Sequence, residues 1–219
     1  GSGGSGSGAG LGVAWAQGYA DNEHLPVDNA VAVAANIARV LTVPLSIDFE
    51  NGYSSDPEQV ARNVLRLIDA GVSGINLEDG NDAPALLADK IRAIKKLAAQ
   101  SGKDIFINTR TDVYLRNLAP ESERVAEVLK RAALYKDAGA DGLFVPGICK
   151  TGEIKTVAAS VGLPLNVMDW PGVTPNTKIK GPVADFQNFY SGRGVIANYA
   201  VPGALPNFVR DFGLVYTSG

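Results

Sequence analysis

The sequence predicts an α/β fold in which strand–helix units in series make a (β/α) barrel, and three observations predict it. Short apolar runs recur, among them "PLSIDFE", "GINLED", "DIFINTRTD", "GLFVPG" and "PLNVM", with the continuous hydrophobicity of strands buried on both faces. Helical stretches lie between them at intervals near the roughly thirty residues of a βαβ unit. An internal echo, "DAGVSGINLED" at Asp69 to Asp79 and "DAGADGLFVPG" at Asp137 to Gly147, twice ends a helix with Ala-Gly and enters a strand, as units in series do. The other α/β arrangement, an open doubly wound sheet, lacks its signals: no Gly-x-Gly-x-x-Gly follows the first strand and no P-loop pattern occurs.

The opening "GSGGSGSGAG" has the composition of a flexible glycine/serine linker and neither the basic nor the apolar region of a signal peptide. Residues 1–10 are therefore read as linker and residues 11–219 as one βα-barrel domain. "YADNEHLP" is a polar loop holding the only histidine, His24, whose expected state is a solvated side chain and not a catalyst. After the strand in "PLSIDFE" comes "DPEQVARNVLRLIDAG", where Val60, Val64, Leu67 and Ile68 form an apolar stripe. Asp56 is placed to cap that helix, Pro57 sits at its first position and Gly71 follows its end. Leu86 to Ala99, Glu121 to Ala138 and Glu153 to Ala159 repeat the helical pattern, and the late runs "GVIANY" and "GLVYTS" add two further strands.

A chain of 219 residues with 46% hydrophobic residues can bury a substantial core. Its net charge of −3 and scattered Lys and Arg give no footprint for a phosphate backbone, so nucleic acid is not an expected partner. No apolar run approaches the roughly 20 residues that span a bilayer, and a single cysteine excludes an intrachain disulfide framework. The expected location is the cytoplasm. Cys149, in "VPGICKTG", has no activating group nearby in sequence and reads as inert; Met168 and Trp170 read as packing.

In parallel βα architectures the ligand site lies at the carboxyl ends of the strands. The polar residues ending the apolar runs are Asp48 and Glu50, Glu78 and Asp79, Asn108 with Arg110 and Asp112, and Asn166. Carboxylates gathered there repel one another unless protons or a cation intervene, and oxygen ligands without His or Cys point to Mg²⁺ or Mn²⁺. Asp48 is the expected direct ligand, with Glu50 and Glu78 holding its waters. Arg110 is either a fork for a substrate carboxylate or phosphonate, or a counter-charge for Glu78 or Asp112. The bland alternative for the acids is helix capping or a solvated rim.

Taken in order, "SIDFENGYSSDPEQV", "GINLEDG", "INTRTDVYLR", "AGADGLFVPG" and "PLNVMDWPG" resemble the isocitrate lyase and phosphoenolpyruvate mutase superfamily, nearest its carboxyphosphonoenolpyruvate-mutase-like and oxaloacetate-decarboxylase-like branch. The resemblance covers about Leu11 to Gly172 and implies a TIM-type barrel with Mg²⁺ at the strand ends. It also implies chemistry on a C–C or P–C bond beside a pyruvate enolate. Under it, Asp48 is the direct metal ligand, Glu50 and Glu78 hold metal-bound water, Arg110 binds substrate, and Asp21 matches an aspartate after the second strand. A homotetramer or dimer is implied as well.

Two departures shape the expectation. The loop "GNDAPALLADK" lacks the cysteine and histidine of the family's isocitrate-cleaving lyases, and Pro146 falls near a histidine of its mutases. What remains is C–C cleavage of a small 2-keto or 2-hydroxy carboxylic acid, such as oxaloacetate decarboxylation, with P–C chemistry or a catalytically impaired, binding-only barrel as alternatives. The C-terminal "GVIANYA" and "GLVYTSG" resemble the family's first two strands, normally followed by a stretch like this chain's own "LGVAWAQGYAD". A permuted barrel is expected on that reading, with Thr217, Ser218 and Gly219 in the substrate pocket beside Arg110 and Asn166; the other reading is a barrel lacking strands one and two.

Overall fold

The structure, a computed structural model, describes residues 13–14, 16–20, 23–41 and 44–167. Asp21, Thr217, Ser218, Gly219 and the runs "GVIANYA" and "GLVYTSG" lie outside the described residues, as do Met168 and Trp170.

The described elements are α1 (Val27–Ala38), β1 (Leu45–Asp48), α2 (Pro57–Asp69), β2 (Val72–Glu78), α3 (Pro84–Gln100), β3 (Phe106–Arg110), a short 3₁₀ turn (Glu121–Glu123), α4 (Arg124–Ala138), β4 (Gly142–Val145), α5 (Thr151–Ser160) and β5 (Leu165–Val167). The strands make one parallel sheet in the order β1-β2-β3-β4-β5. An order that never reverses, with a helix crossing back before each new strand, is the wall of a TIM-type barrel; a doubly wound sheet reverses at its switch point. The fold class is α/β, as the sequence pattern predicts.

The punctuation read from sequence accounts for the element ends. The Asp56 carboxylate accepts from the Glu58 N–H at 3.1 Å, and Pro57 occupies the first turn of α2. Such a cap contributes about 1 kcal/mol. Gly71 and Gly139, the glycines of the internal echo, follow α2 and α4 at φ 98° and 108°, where a Cβ would be strained. α1 is an additional helix that the sequence pattern does not single out; only Ala34 in it is fully buried.

Register sorts the strand side chains into two faces, since paired residues in a parallel sheet point the same way. On the helix side, Ile47, Ile75 and Ile107 align, and Leu77, Thr109, Leu143 and Leu165 align. Ile75, Ile107, Leu77, Leu143 and Leu165 join Val60, Val64 and Leu67 of α2, Leu87, Ile91 and Ile94 of α3, and Val128 and Tyr135 of α4 in one buried cluster, with Ile47 packed against it. Each large aliphatic side chain buried there contributes roughly 1.5–3 kcal/mol. The barrel side is different: Asp48, Asn76 and Asn108 form one aligned row, and Glu78, Arg110, Phe144 and Asn166 the next. Polar groups buried on that side must be satisfied or used.

Candidate active site

The end of β1 is shaped by a tight turn. Asp48 accepts the Glu50 N–H at 3.1 Å, and the Glu50 carbonyl accepts from the Glu78 N–H at 2.8 Å, which keeps the ends of β1 and β2 together. Glu50 itself stands at φ 49°, and two neighbours in the same cluster, Glu23 and Tyr53, both stand at φ 60°. Left-handed conformations cost non-glycine residues on the order of 1–2 kcal/mol each, so surrounding bonds must hold them. They do: the Glu50 carboxylate accepts from the Glu23 N–H at 2.7 Å and from the Tyr53 hydroxyl at 3.1 Å, while the Glu23 carboxylate accepts from the Tyr53 N–H. Burial pushes the Glu23 carboxyl up against the lowering effect of that last bond.

At the ends of β2 and β3 four charged side chains alternate in a ring. Arg110 Nη1 lies 2.7 Å from Glu78 Oε2, and its Nε and Nη2 form a fork on Asp112 at 2.7 and 3.1 Å. Arg116 donates from Nε to Asp112 Oδ2 at 2.7 Å, and its Nη2 stands 3.9 Å from Glu78 Oε1, closing the ring. The 2.7 Å approach of Arg110 to Glu78 is an ion pair without hydrogen-bond alignment, and Oε2 accepts no hydrogen bond. Burial pushes the Glu78 carboxyl up to about 8; Arg110 opposes this, while Asp48 and Asp112 add to it. For Arg110 burial disfavours the charge, but Glu78, Asp112 and Asp48 outweigh it and hold the guanidinium firmly protonated. Its carbon also lies 6.0 Å from the centre of the Phe144 ring, a cation–π contact.

Asp79, the next residue after Glu78, faces the other way. Its carboxylate accepts from Thr111 Oγ1 at 2.7 Å, the Asp112 N–H at 2.9 Å, Arg131 Nη1 at 2.8 Å and the Tyr135 hydroxyl at 2.6 Å. Four donors satisfy a buried carboxylate and fasten α4 to the ends of β2 and β3. Because one of the four is the Asp112 backbone, the same knot sets where the Arg110 fork lands.

The expectation is one direct ligand, Asp48, with Glu50 and Glu78 holding its waters; among the described residues no group of three or more His, Cys, Asp and Glu is arranged to hold a metal ion directly. The Glu50 carboxylate bonds to the Glu23 N–H and the Tyr53 hydroxyl across the strained turn. Asp48 and Glu78 remain on the barrel face with Arg110, both hard oxygen donors, and Asp48 is among the charges acting on Glu78. Mg²⁺ takes only one or two carboxylates directly, so that pair fits it. Asn166 shares the aligned row of Glu78 and Arg110, is 1% exposed, and neither atom of its amide makes a hydrogen bond. A buried amide without a protein partner among the described residues can pair with a ligand or a water.

The structure thus brings Asp48, Glu78, Arg110 and Asn166 to one face at the strand ends. Arg110 stands here as the counter-charge of Glu78 and Asp112, one of the two tasks expected of it. Sequence reasoning missed Arg116, Asp79 in its structural role, and Lys90, which is 2% exposed and donates to the Asn51 carbonyl at 2.6 Å. Lys90 was legible only as the end of "GNDAPALLADK"; the apolar neighbours Leu86 and Leu87 in that stretch were the available hint that it lies on an inward helix face. Cys149 is exposed and unbridged. No described helix is long and apolar enough to cross a membrane.

The family model "Phosphoenolpyruvate phosphomutase" matches residues 7–182. The protein Rv1998c of Mycobacterium tuberculosis H37Rv is 36% identical over 168 residues, covering 74% of this chain and 60% of its own. The 2-methylisocitrate lyase of Escherichia coli K12 is 30% identical, covering 68% of this chain and 52% of the enzyme; the oxaloacetate decarboxylase of Ectopseudomonas mendocina is 29% identical, covering 64% and 49%. The chain therefore spans about half to 60% of the length of these relatives. Among solved structures, 2,3-dimethylmalate lyase, a PEP mutase/isocitrate lyase superfamily member, superposes with a TM-score of 0.67 at 27% identity, over 93% of this chain and 70% of that one.

Proposed function

The chain belongs to the phosphoenolpyruvate phosphomutase family, within the PEP mutase/isocitrate lyase superfamily, and from that premise we propose that it is a Mg²⁺-dependent lyase of small 2-keto carboxylic acids, with oxaloacetate decarboxylation as the representative reaction. The observation that carries this reading is the aligned row of Glu78, Arg110 and Asn166 beside Asp48, two carboxylates and a guanidinium at the ends of adjacent strands.

Asp48 and Glu78 would hold the cation, with Mn²⁺ an alternative of the same chemistry. When bound, it supplies Lewis-acid polarisation of the keto oxygen. The protein's own groups do the rest. Arg110 presents N–H groups to the carboxylate beside the ketone, and Asp112 fixes the plane of that fork. Asn166 offers an amide to a substrate oxygen, which would satisfy a group otherwise left buried and unbonded. In decarboxylation the bond from C3 to its carboxylate breaks and CO₂ leaves. The electron pair stays on C3 and spreads to the keto oxygen as an enolate, and a proton then reaches C3 to give pyruvate. Asp21, Thr217, Ser218 and Gly219 are assigned to the same pocket by motif.

The test is pyruvate release from oxaloacetate above the metal-only background, for the wild type and for Asp48→Ala. A loss of at least about 100-fold in the variant is expected, the order of magnitude of removing one electrostatic stabiliser; full metal-dependent turnover by Asp48→Ala would sink the assignment. Phosphonopyruvate in place of oxaloacetate checks P–C chemistry, which is disfavoured because Pro146 falls near the position of a histidine in the family's mutases. A second reading, a barrel that binds metal and small dicarboxylates without turnover, is favoured by the commitment of Glu50 to the strained turn. It predicts heat of Mg²⁺-dependent malate binding and no pyruvate. The same proposal makes the protein a cytoplasmic homo-oligomer, dimer or tetramer, to be checked by light scattering.

A further inference from the structure

Arg116 is the member of the charge ring that reaches solvent. Its side chain is 35% exposed, against 4% for Arg110, 12% for Glu78 and 0% for Asp112. The loop after β3 puts it there: the Arg116 N–H donates to the Asp112 carbonyl at 2.9 Å, a helical turn that stacks the arginine over the aspartate. The guanidinium then meets Asp112 Oδ2 through Nε at 2.7 Å, on the oxygen that also accepts from Arg110 Nη2 at 3.1 Å.

One fully buried carboxylate therefore holds two guanidinium groups side by side. Their mutual repulsion is strongest where water is scarce, and an anion lying across both relieves it. Arg116 uses Nε on Asp112, whereas a carboxylate fork takes two parallel N–H bonds. Its Nη2 approaches Glu78 no closer than 3.9 Å, beyond hydrogen-bonding range. The terminal N–H groups thus stand on the exposed side of the ring, next to Glu78 and Arg110, with no acceptor in hydrogen-bonding range among the described residues.

We propose that Arg116 is a specificity-determining residue that selects dicarboxylates. Arg110 takes the carboxylate beside the keto or hydroxyl carbon, and Arg116 takes the second carboxylate on the exposed side. The inference rests on the assignment of this face as a site for small 2-keto or 2-hydroxy acids, and names which of those acids it prefers.

Malate and lactate share a 2-hydroxy carboxylate head and differ in the second carboxylate, so calorimetry with both, at fixed Mg²⁺, isolates Arg116. The wild type is expected to bind malate about tenfold or more tighter than lactate, the scale of one charge-assisted fork. Arg116→Gln is expected to bring that ratio close to one while lactate affinity changes less than about threefold, and Arg116→Lys to restore part of the preference. If Arg116 only buttresses Asp112, both acids lose affinity together, and that result overturns the proposal. So does an unchanged malate preference in Arg116→Gln, or no preference in the wild type. The decarboxylation assay separates the two readings. No pyruvate from the wild type with an Arg116-dependent malate preference removes the lyase reading and leaves this one; pyruvate production without that dependence does the reverse.

Discussion

Glu78 and Asp79 are consecutive carboxylates at the end of one strand, and the structure treats them in opposite ways. Asp79 turns outward to α4 and accepts from four donors at 2.6 to 2.9 Å, two of them on that helix, the Arg131 guanidinium and the Tyr135 hydroxyl. Glu78 turns into the barrel, where an unaligned ion pair with Arg110 is its closest contact and burial pushes its carboxyl up to about 8. A buried acid whose lone pairs are all taken is built into the fold and has nothing left to offer a ligand. A buried acid held only by charge is costly to the fold, which is the usual mark of a group kept for chemistry.

The largest effect expected from this contrast is on stability at Asp79. Asp79→Ala leaves the Arg131 charge half-stranded against the Glu127 carboxylate, 2.7 Å away, and leaves the Tyr135 hydroxyl and the Asp112 N–H without acceptors. Breaking a buried pair by removing one partner costs about 3–5 kcal/mol. Urea unfolding of the variant should show a loss of that order; a loss under about 1 kcal/mol would show that Asp79 is not the knot described. Asp79→Asn should fall between, since an amide keeps the acceptor oxygen and loses the charge.

The next effect concerns Glu78 and pH. Its pKa in the folded protein is about 8, raised from an ordinary 4.5 by burial first. A group raised on folding favours the folded state fully below its unfolded pKa and loses that contribution as pH rises through the folded value. Metal-free protein should therefore lose on the order of a few kcal/mol between pH 4.5 and 8 through this residue, the raised value already including the opposing ion pairs with the two arginines. Glu78→Gln should flatten that part of the stability profile, and saturating Mg²⁺ should flatten it in the wild type through binding to the native state. An identical slope in wild type and variant would break the comparison from the Glu78 side.

How far these two roles are legible in sequence follows from where their partners lie. Asp48, Glu78, Arg110 and Asn166 end apolar runs, so strand periodicity alone takes them to one rim, and the parallel register brings them to one face. The βα order, the Asp56 cap and the echoing glycines are local features and were legible for the same reason. The bonds of Glu50 to Glu23 and Tyr53 were not legible because its carboxylate follows a backbone turn at φ 49° that no pattern of apolar residues encodes. Asp79 binds Arg131 and Tyr135 from a helix 52 and 56 positions further along the chain, and Arg116 joins the ring only through the path of its loop. α1 escaped notice because its inward face is shallow, with Ala34 its one fully buried position and Val31 and Ile37 only partly buried.

The smallest effect sharpens the contrast most. Tyr135→Phe removes one donor from Asp79, leaves Thr111, Arg131 and the Asp112 N–H in place, and keeps the ring packed in the helix-side core. The hydroxyl is held protonated, first by burial and then by the Asp79 charge, so it acts only as a donor. Losing a single hydrogen bond to a charged acceptor costs about 1.5–3 kcal/mol, reduced here toward about 1 because three donors remain. If Asp79 serves the fold alone, Tyr135→Phe should lower urea stability by that amount and leave the kcat for pyruvate release within about twofold of wild type. A fall in kcat of tenfold or more without a larger loss of stability would mean that the knot also tunes the Arg110 fork through the Asp112 backbone. In that case the two neighbouring acids would be parts of one site.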